Sequence, residues 1–111
     1  MKPEKQRIAI AKACGWVWRS RIPGAVKVWD NPPKFVFYDD DLPDYLNDMN
    51  AMYEAESRIV DWVAWRVNLS LVVGTGYCPD MDSSESVRAF AHATAPQRAE
   101  SFLKTLGLWE A

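Results

Sequence analysis

Between Trp16 and Tyr38 the chain packs three runs of β-forming residues into twenty-three positions, and this spacing constrains the fold more than any other feature. The runs are Trp16–Arg21, Ala25–Trp29 and Lys34–Tyr38, parted by Pro23-Gly24 and by Asp30-Asn31-Pro32-Pro33. Proline and glycine punctuate strands, and aromatic and β-branched residues fit a pleated, half-buried surface. Parallel strands need a crossover of a dozen or more residues, so connections this short predict an antiparallel meander. The remaining periodic segments are helical in pattern, which makes the class α+β. At 111 residues the chain fits one domain, taken as residues 1–111.

Helices flank the meander. Pro3 suits the first turn of a helix running through Glu4, Ile8, Ala11 and Cys14, with Gly15 placed to stop it. After the strands, Asp39, Asp40, Asp41 and Asp44 gather around Leu42-Pro43. A residue before proline avoids helical angles, so Leu42 is the expected N-cap and Pro43 the first residue of a central helix. Its acids would then sit at the positive end of the helix dipole. Leu42, Tyr45, Leu46, Met49, Met52 and Tyr53 form one stripe, expected to face the sheet, and Glu54 with Arg58 has the spacing of a helical ion pair. From Ile59 to Val73 periodicity leaves two readings. Trp65, Val67, Leu69, Leu71 and Val73 alternate as in a strand, while Val60, Val63, Val67 and Leu71 make a helical stripe. Gly74 to Glu85 reads as a loop and Val87 to Ala91 as a short edge strand, a fourth for the sheet. Thr94-Ala-Pro-Gln97 fits a capping box. Ala95, Ala99, Phe102, Leu103 and Leu106 supply an apolar face, Gly107 is the stop, and Leu108 is placed to pack back on Leu103.

Charge divides the chain. Residues 1 to 38 hold eight Lys/Arg against two acids, and residues 39 to 111 hold five against thirteen. Either the halves complement each other within one fold or across a homo-oligomer, or the basic half faces an anionic ligand. A sequence pI near 5.3 argues against duplex DNA as the partner. No apolar run reaches the ~18 residues of a membrane span, and the polar N-terminus does not read as a signal peptide, so a cytoplasmic protein with no membrane partner is expected. Cys14 and Cys78 lie in unrelated contexts and read as free thiols.

Four groups of residues are candidates for chemistry. Trp18, with Arg19 and Arg21 beside it, could form a stacking wall for a nucleotide, or the tryptophans could be core. Asn47 and Asn50 lie three apart on the expected central helix, where asparagine lowers helix propensity; this marks a site or a solvent face. His92, Thr94 and Arg98 stand at a helix N-terminus that could hold a phosphate or carboxylate. The alternative there is structural: Thr94 caps the helix, Arg98 pairs with an acid such as Glu54, Asp61 or Glu85, and His92 is satisfied locally. Asp80, Asp82 and Glu85 lack the length and glycine of a calcium loop, and neither cysteine has a context that pairs it with His92. No cofactor, metal site or catalytic residue is expected.

Two longer segments, Asp41-Leu-Pro-Asp-Tyr-Leu-Asn-Asp-Met-Asn-Ala-Met-Tyr-Glu-Ala-Glu56 and His92-Ala-Thr-Ala-Pro-Gln-Arg-Ala-Glu-Ser-Phe-Leu-Lys-Thr-Leu-Gly-Leu-Trp109, resemble the signature segments of the phage ABA sandwich domain family. The order of elements along the chain resembles that family too, and Pro96 and the Trp- and Val-rich middle depart from it. The resemblance implies a small bacteriophage or prophage protein with a sheet sandwiched between helices, no catalytic motif, and a helix over residues 59 to 73. The functional expectation is a non-enzymatic binding protein that sequesters a host nucleotide-derived immune signal. The alternatives are a protein–protein interaction module, which blocks a host protein or serves the virion, and a hydrolase, which needs converging acid and base groups.

Overall fold

The computed structural model describes residues 1–73 and 92–111, and within them the fold is α+β. Helix α1 (Pro3–Ala13) begins with Pro3 in its first turn and ends at Cys14, after which Gly15 adopts φ +97°. Left-handed backbone is cheap for glycine and strained for other residues, so the stop falls where the sequence places it. Three strands follow, β1 (Val17–Ser20), β2 (Lys27–Asn31) and β3 (Lys34–Val36), in the order β1-β2-β3 and antiparallel throughout. Trp18 lies opposite Trp29, and Trp29 opposite Val36. Asp30 and Asn31, read as part of a turn, belong to β2; the Pro32–Pro33 peptide bond between β2 and β3 is cis. The expected meander is present. Val87–Ala91, the expected edge strand, and the loop from Gly74 to Glu85 lie outside the described residues.

The central helix differs from expectation. Asp39–Asp41 form a 3₁₀ turn, Pro43 is not helical, and α2 (Met49–Glu56) starts six residues later than Pro43. Two sets of side chains explain this. Arg7 of α1 donates to the carbonyls of Asp40, Leu42 and Pro43, drawing them to a guanidinium instead of a helical ladder. Asp48 then supplies a true N-cap, its Oδ1 accepting from the N–H groups of Asn50 at 3.0 Å and Ala51 at 3.4 Å. Leu42, Tyr45 and Met52 are buried as the stripe requires, but Tyr53 is half exposed, and α2 packs chiefly on the C-terminal helix. The helix ends at Glu56, so Arg58 falls beyond it and the Glu54–Arg58 pair does not form.

Residues Trp62–Val73 form helix α3, which resolves the ambiguous stretch. Its first turn is tied by Asp61, whose Oδ1 accepts from Ala64 N–H at 3.0 Å. The buried side is Trp65, Leu69 and Ser70. The stripe of Val60, Val63 and Leu71 faces outward: Val60 precedes the helix and is 92% exposed, and Val63 and Leu71 are also exposed. Helix α4 (Ala95–Thr105) is the hub on which α1, α2 and α3 all pack. Thr94 and Gln97 close the capping box in both directions. At the other end Gly107 takes φ +72°; its N–H reaches Lys104 O and the N–H of Leu108 reaches Leu103 O, the Schellman pair of bonds. Ala99, Phe102 and Leu103 are buried to within 1% of full coverage and join Ile10, Met52 and Leu69 in one core cluster that extends to Trp16 and Trp29.

Within the described residues the charge division is bridged by a single ion pair. Among the described residues only Lys5–Glu110 joins the basic and acidic parts; Arg19–Asp30 and Arg21–Asp30 lie inside the first, Arg98–Glu56 and Lys104–Glu100 inside the second. Arg7, the basic side chain most engaged with the acidic segment, takes its carbonyls and not its carboxylates.

Candidate functional site

The strand register creates the site. Because side chains alternate across a strand, Trp18, Trp29 and Val36 share one face of the sheet. Ile8 and Lys12 are one turn apart on α1, hence on one side of it. These two surfaces, with Phe37, Tyr38 and Asp39 leading out of β3, line an open groove of about 520 Å³. Trp29 forms its floor: it is 4% exposed, and its indole Nε1 donates to Asp39 Oδ1 at 2.6 Å. Trp18 lies against it with ring centroids 5.4 Å apart and planes inclined by 55°, and is itself 45% exposed. Phe37 and Tyr38 are more exposed still. Lys12 is exposed and takes part in no ion pair of the described residues.

Such a lining has definite chemistry. Half-exposed aromatic faces accept a planar ring by stacking, a lysine without a partner offers a mobile positive charge, and Asp39, fixed through one oxygen, keeps acceptor capacity on the other.

The residues singled out in the sequence are dispersed. Trp18 enters the groove. Arg19 and Arg21 do not flank it; both bind Asp30, which alternation puts on the opposite face. Asn47 is exposed outside the helix and donates to both carboxylate oxygens of Asp44, at 3.1 and 3.2 Å. Asn50 sits in the first turn of α2. Neither is in a helix interior, so the propensity argument that marked them does not apply. Asn47 instead borders a cavity of about 300 Å³ between α1 and the acidic turn, together with Arg7, Asp40 and Asp44. His92 and Thr94 are exposed at the start of α4, and the Thr94 hydroxyl accepts from Gln97 N–H. Arg98 is buried and pairs with an acid, as the structural alternative expects, the partner being Glu56 and not one of the acids given as examples. The calcium candidates Asp80, Asp82 and Glu85 lie outside the described residues, and within those residues no group of three His, Cys, Asp or Glu is placed to hold a metal. No helix there is long and apolar enough to cross a membrane.

A smaller cavity, about 70 Å³, is lined by Cys14, Trp16, Asn31, Tyr45 and Arg58 among others. Burial pushes the Cys14 thiol up from its ordinary value, against the pull of a hydrogen bond with Tyr45, and burial raises the Tyr45 hydroxyl as well. A protonated thiol is a poor nucleophile.

Lys12, Phe37, Tyr38 and Asp39 were missed by sequence reasoning. Lys12 carries no local signal, and Asp39 reads as a helix-dipole acid until Trp29 is seen to bind it. Comparisons with protein-family models, with curated proteins and with solved structures found no match.

Proposed function

We propose that this protein acts by binding, holding a planar anionic ligand of the nucleotide type in the groove between α1 and the sheet. The observation that carries the reading is Trp18, half exposed over a buried Trp29 and facing the same groove as the unpaired Lys12. In this arrangement a base stacks on Trp18 or Tyr38 and its phosphate meets Lys12. The phage setting implied by the two resembling segments makes sequestration of a host nucleotide-derived signal the biological version of this role, with no turnover of the ligand. A panel of cyclic and ADP-ribose-like nucleotides, screened by thermal stability and calorimetry, tests it. Ligand at a hundred times its dissociation constant adds ~2.7 kcal/mol to stability, a shift a melting curve resolves. The reading fails if no member of the panel binds, or if Trp18→Ala and Lys12→Ala bind as the parent does.

A second reading, protein–protein interaction, is favoured by α3. Val63 and Leu71 are exposed there, Val60 stands bare just before it, and Trp62 is 49% exposed. A surface of this kind suits a protein partner or a second copy of the chain. Sedimentation of the purified protein, with Val63→Glu as the control, separates self-association from a monomer.

A further inference from the structure

We propose a second binding site, on the sheet face opposite the groove, for the phosphate backbone of single-stranded nucleic acid. It is built on one carboxylate. Asp30, with its side chain 4% exposed, accepts from Arg19 through Nε at 2.9 Å and lies 2.8 Å from Nη2 of the same guanidinium, while Arg21 Nε approaches its other oxygen at 3.4 Å. The two arginines are half exposed, 50% and 41% at the side chain. Each is therefore held in place by a buried anchor and still presents guanidinium N–H groups to solvent. Two cations on one anion leave a positive charge, fixed in a planar geometry that suits phosphate oxygens.

The surroundings select the kind of anion. Val17 and Phe35 share this face, as their pairing with Asp30 requires, and both are more than two-fifths exposed. The Arg21 guanidinium lies 4.6 Å from the Phe35 ring centre, and Phe37 stands edge-on to Phe35 at 5.6 Å. Residues 16 to 38 hold no acid besides Asp30, and their two further cations, Lys27 and Lys34, are exposed at strand ends where alternation puts them on the groove side of the sheet. A sheet face that sets two fixed guanidinium groups beside an exposed aromatic ring fits a phosphate chain whose bases have π-faces to stack. Three strands about 4.8 Å apart give room for roughly two nucleotides across the sheet. Duplex is a poor match, since this basic surface covers only one small face of an acidic protein.

Fluorescence anisotropy of a labelled oligothymidylate of about ten nucleotides tests the proposal on the whole chain. Binding is expected to weaken with salt, with a log–log slope of roughly −1.4 for about two phosphate contacts. Removing the arginines alone would strand Asp30 as a buried charge, so the decisive variant is the triple Arg19→Gln/Arg21→Gln/Asp30→Asn, checked for folding by circular dichroism. It should bind at least about tenfold more weakly with a slope nearer zero. Arg21→Lys, which keeps the charge and loses the fork, gives an intermediate loss and covers the case in which the triple variant fails to fold. Lys104→Gln, on α4, should change nothing. Trp18 lies on the other face of the sheet, so Trp18→Ala leaves oligonucleotide binding intact while weakening nucleotide binding about 5- to 150-fold. Absence of oligonucleotide binding, binding unaffected by the triple variant or by Arg21→Lys, or equal affinity for an acidic or phosphorylated peptide overturns it.

Discussion

Arg98 of α4 reaches Glu56 at the end of α2 with Nη1 3.0 Å from Oε2, and each side chain is only 8% exposed. The guanidinium also lies 5.1 Å from the Tyr53 ring centre and 6.0 Å from that of Trp65 on α3. One buried cation thus contacts two of the three helices that pack on α4, namely α2 and α3. Removing a single partner leaves the other charge uncompensated in the interior. Glu56→Gln or Arg98→Met is expected to cost about 3–5 kcal/mol, and the double change Glu56→Leu/Arg98→Met clearly less than the sum, as a urea-melt double-mutant cycle would record.

The same pair predicts a pH dependence. Burial holds the Glu56 carboxyl above its ordinary value of 4.5, outweighing the opposing pull of Arg98. A carboxyl whose folded value is raised favours the folded state most below its unfolded value and loses that contribution as pH rises through the folded one. Chemical denaturation across this window should show Glu56 lowering stability as pH increases, and Glu56→Gln should remove that slope.

Trp18 and Trp29 are cross-strand neighbours with opposite expected behaviour. Trp29→Ala empties a buried position and loses the bond to Asp39, which should cost about 3–5 kcal/mol. Trp18→Ala removes a half-exposed ring, so its stability cost should be markedly smaller. Its effect falls on affinity, with a groove ligand that stacks on it losing about 1–3 kcal/mol. Thermal melts and calorimetry on the two variants distinguish the roles.

The ends of α4 give two local tests. Thr94→Ala deletes the N-cap and should cost about 1 kcal/mol. At Gly107 open space surrounds the position a Cβ would occupy, but φ is +72°. Gly107→Ala should therefore destabilise by about 1 kcal/mol through the backbone alone, without a steric clash. Denaturant midpoints at unchanged slope would confirm both.

Cys14 is buried with its thiol raised, so alkylation at neutral pH should be slow in the native protein and fast in denaturant. Peptide mapping by mass spectrometry reads this residue separately from Cys78.

Local chemistry determined a good part of the fold. The short Pro- and Gly-marked connections allowed only an antiparallel meander. Pro3 and Gly15, and Thr94, Gln97 and Gly107, set their helices within a residue or so, because caps and left-handed stops are decided by neighbours in sequence. Tertiary contacts decided what periodicity could not. Arg7, more than thirty residues away in sequence, claims the carbonyls that Pro43 and its neighbours would have offered to a helix, and Asp48 becomes the cap. Packing on α4 chose Trp65 and Leu69 over Val60 and Val63 as the buried side, since both stripes are apolar and only a partner distinguishes them. The candidate site divides in the same way. The sequence grouped Trp18, Arg19 and Arg21 as neighbours, and strand alternation already parts the tryptophan from the arginines; what the folded sheet adds is the buried carboxylate of Asp30 that holds both arginines on their face. Lys12 and Asp39 join Trp18 only because α1 and the 3₁₀ turn close over that face, which is a property of the folded chain.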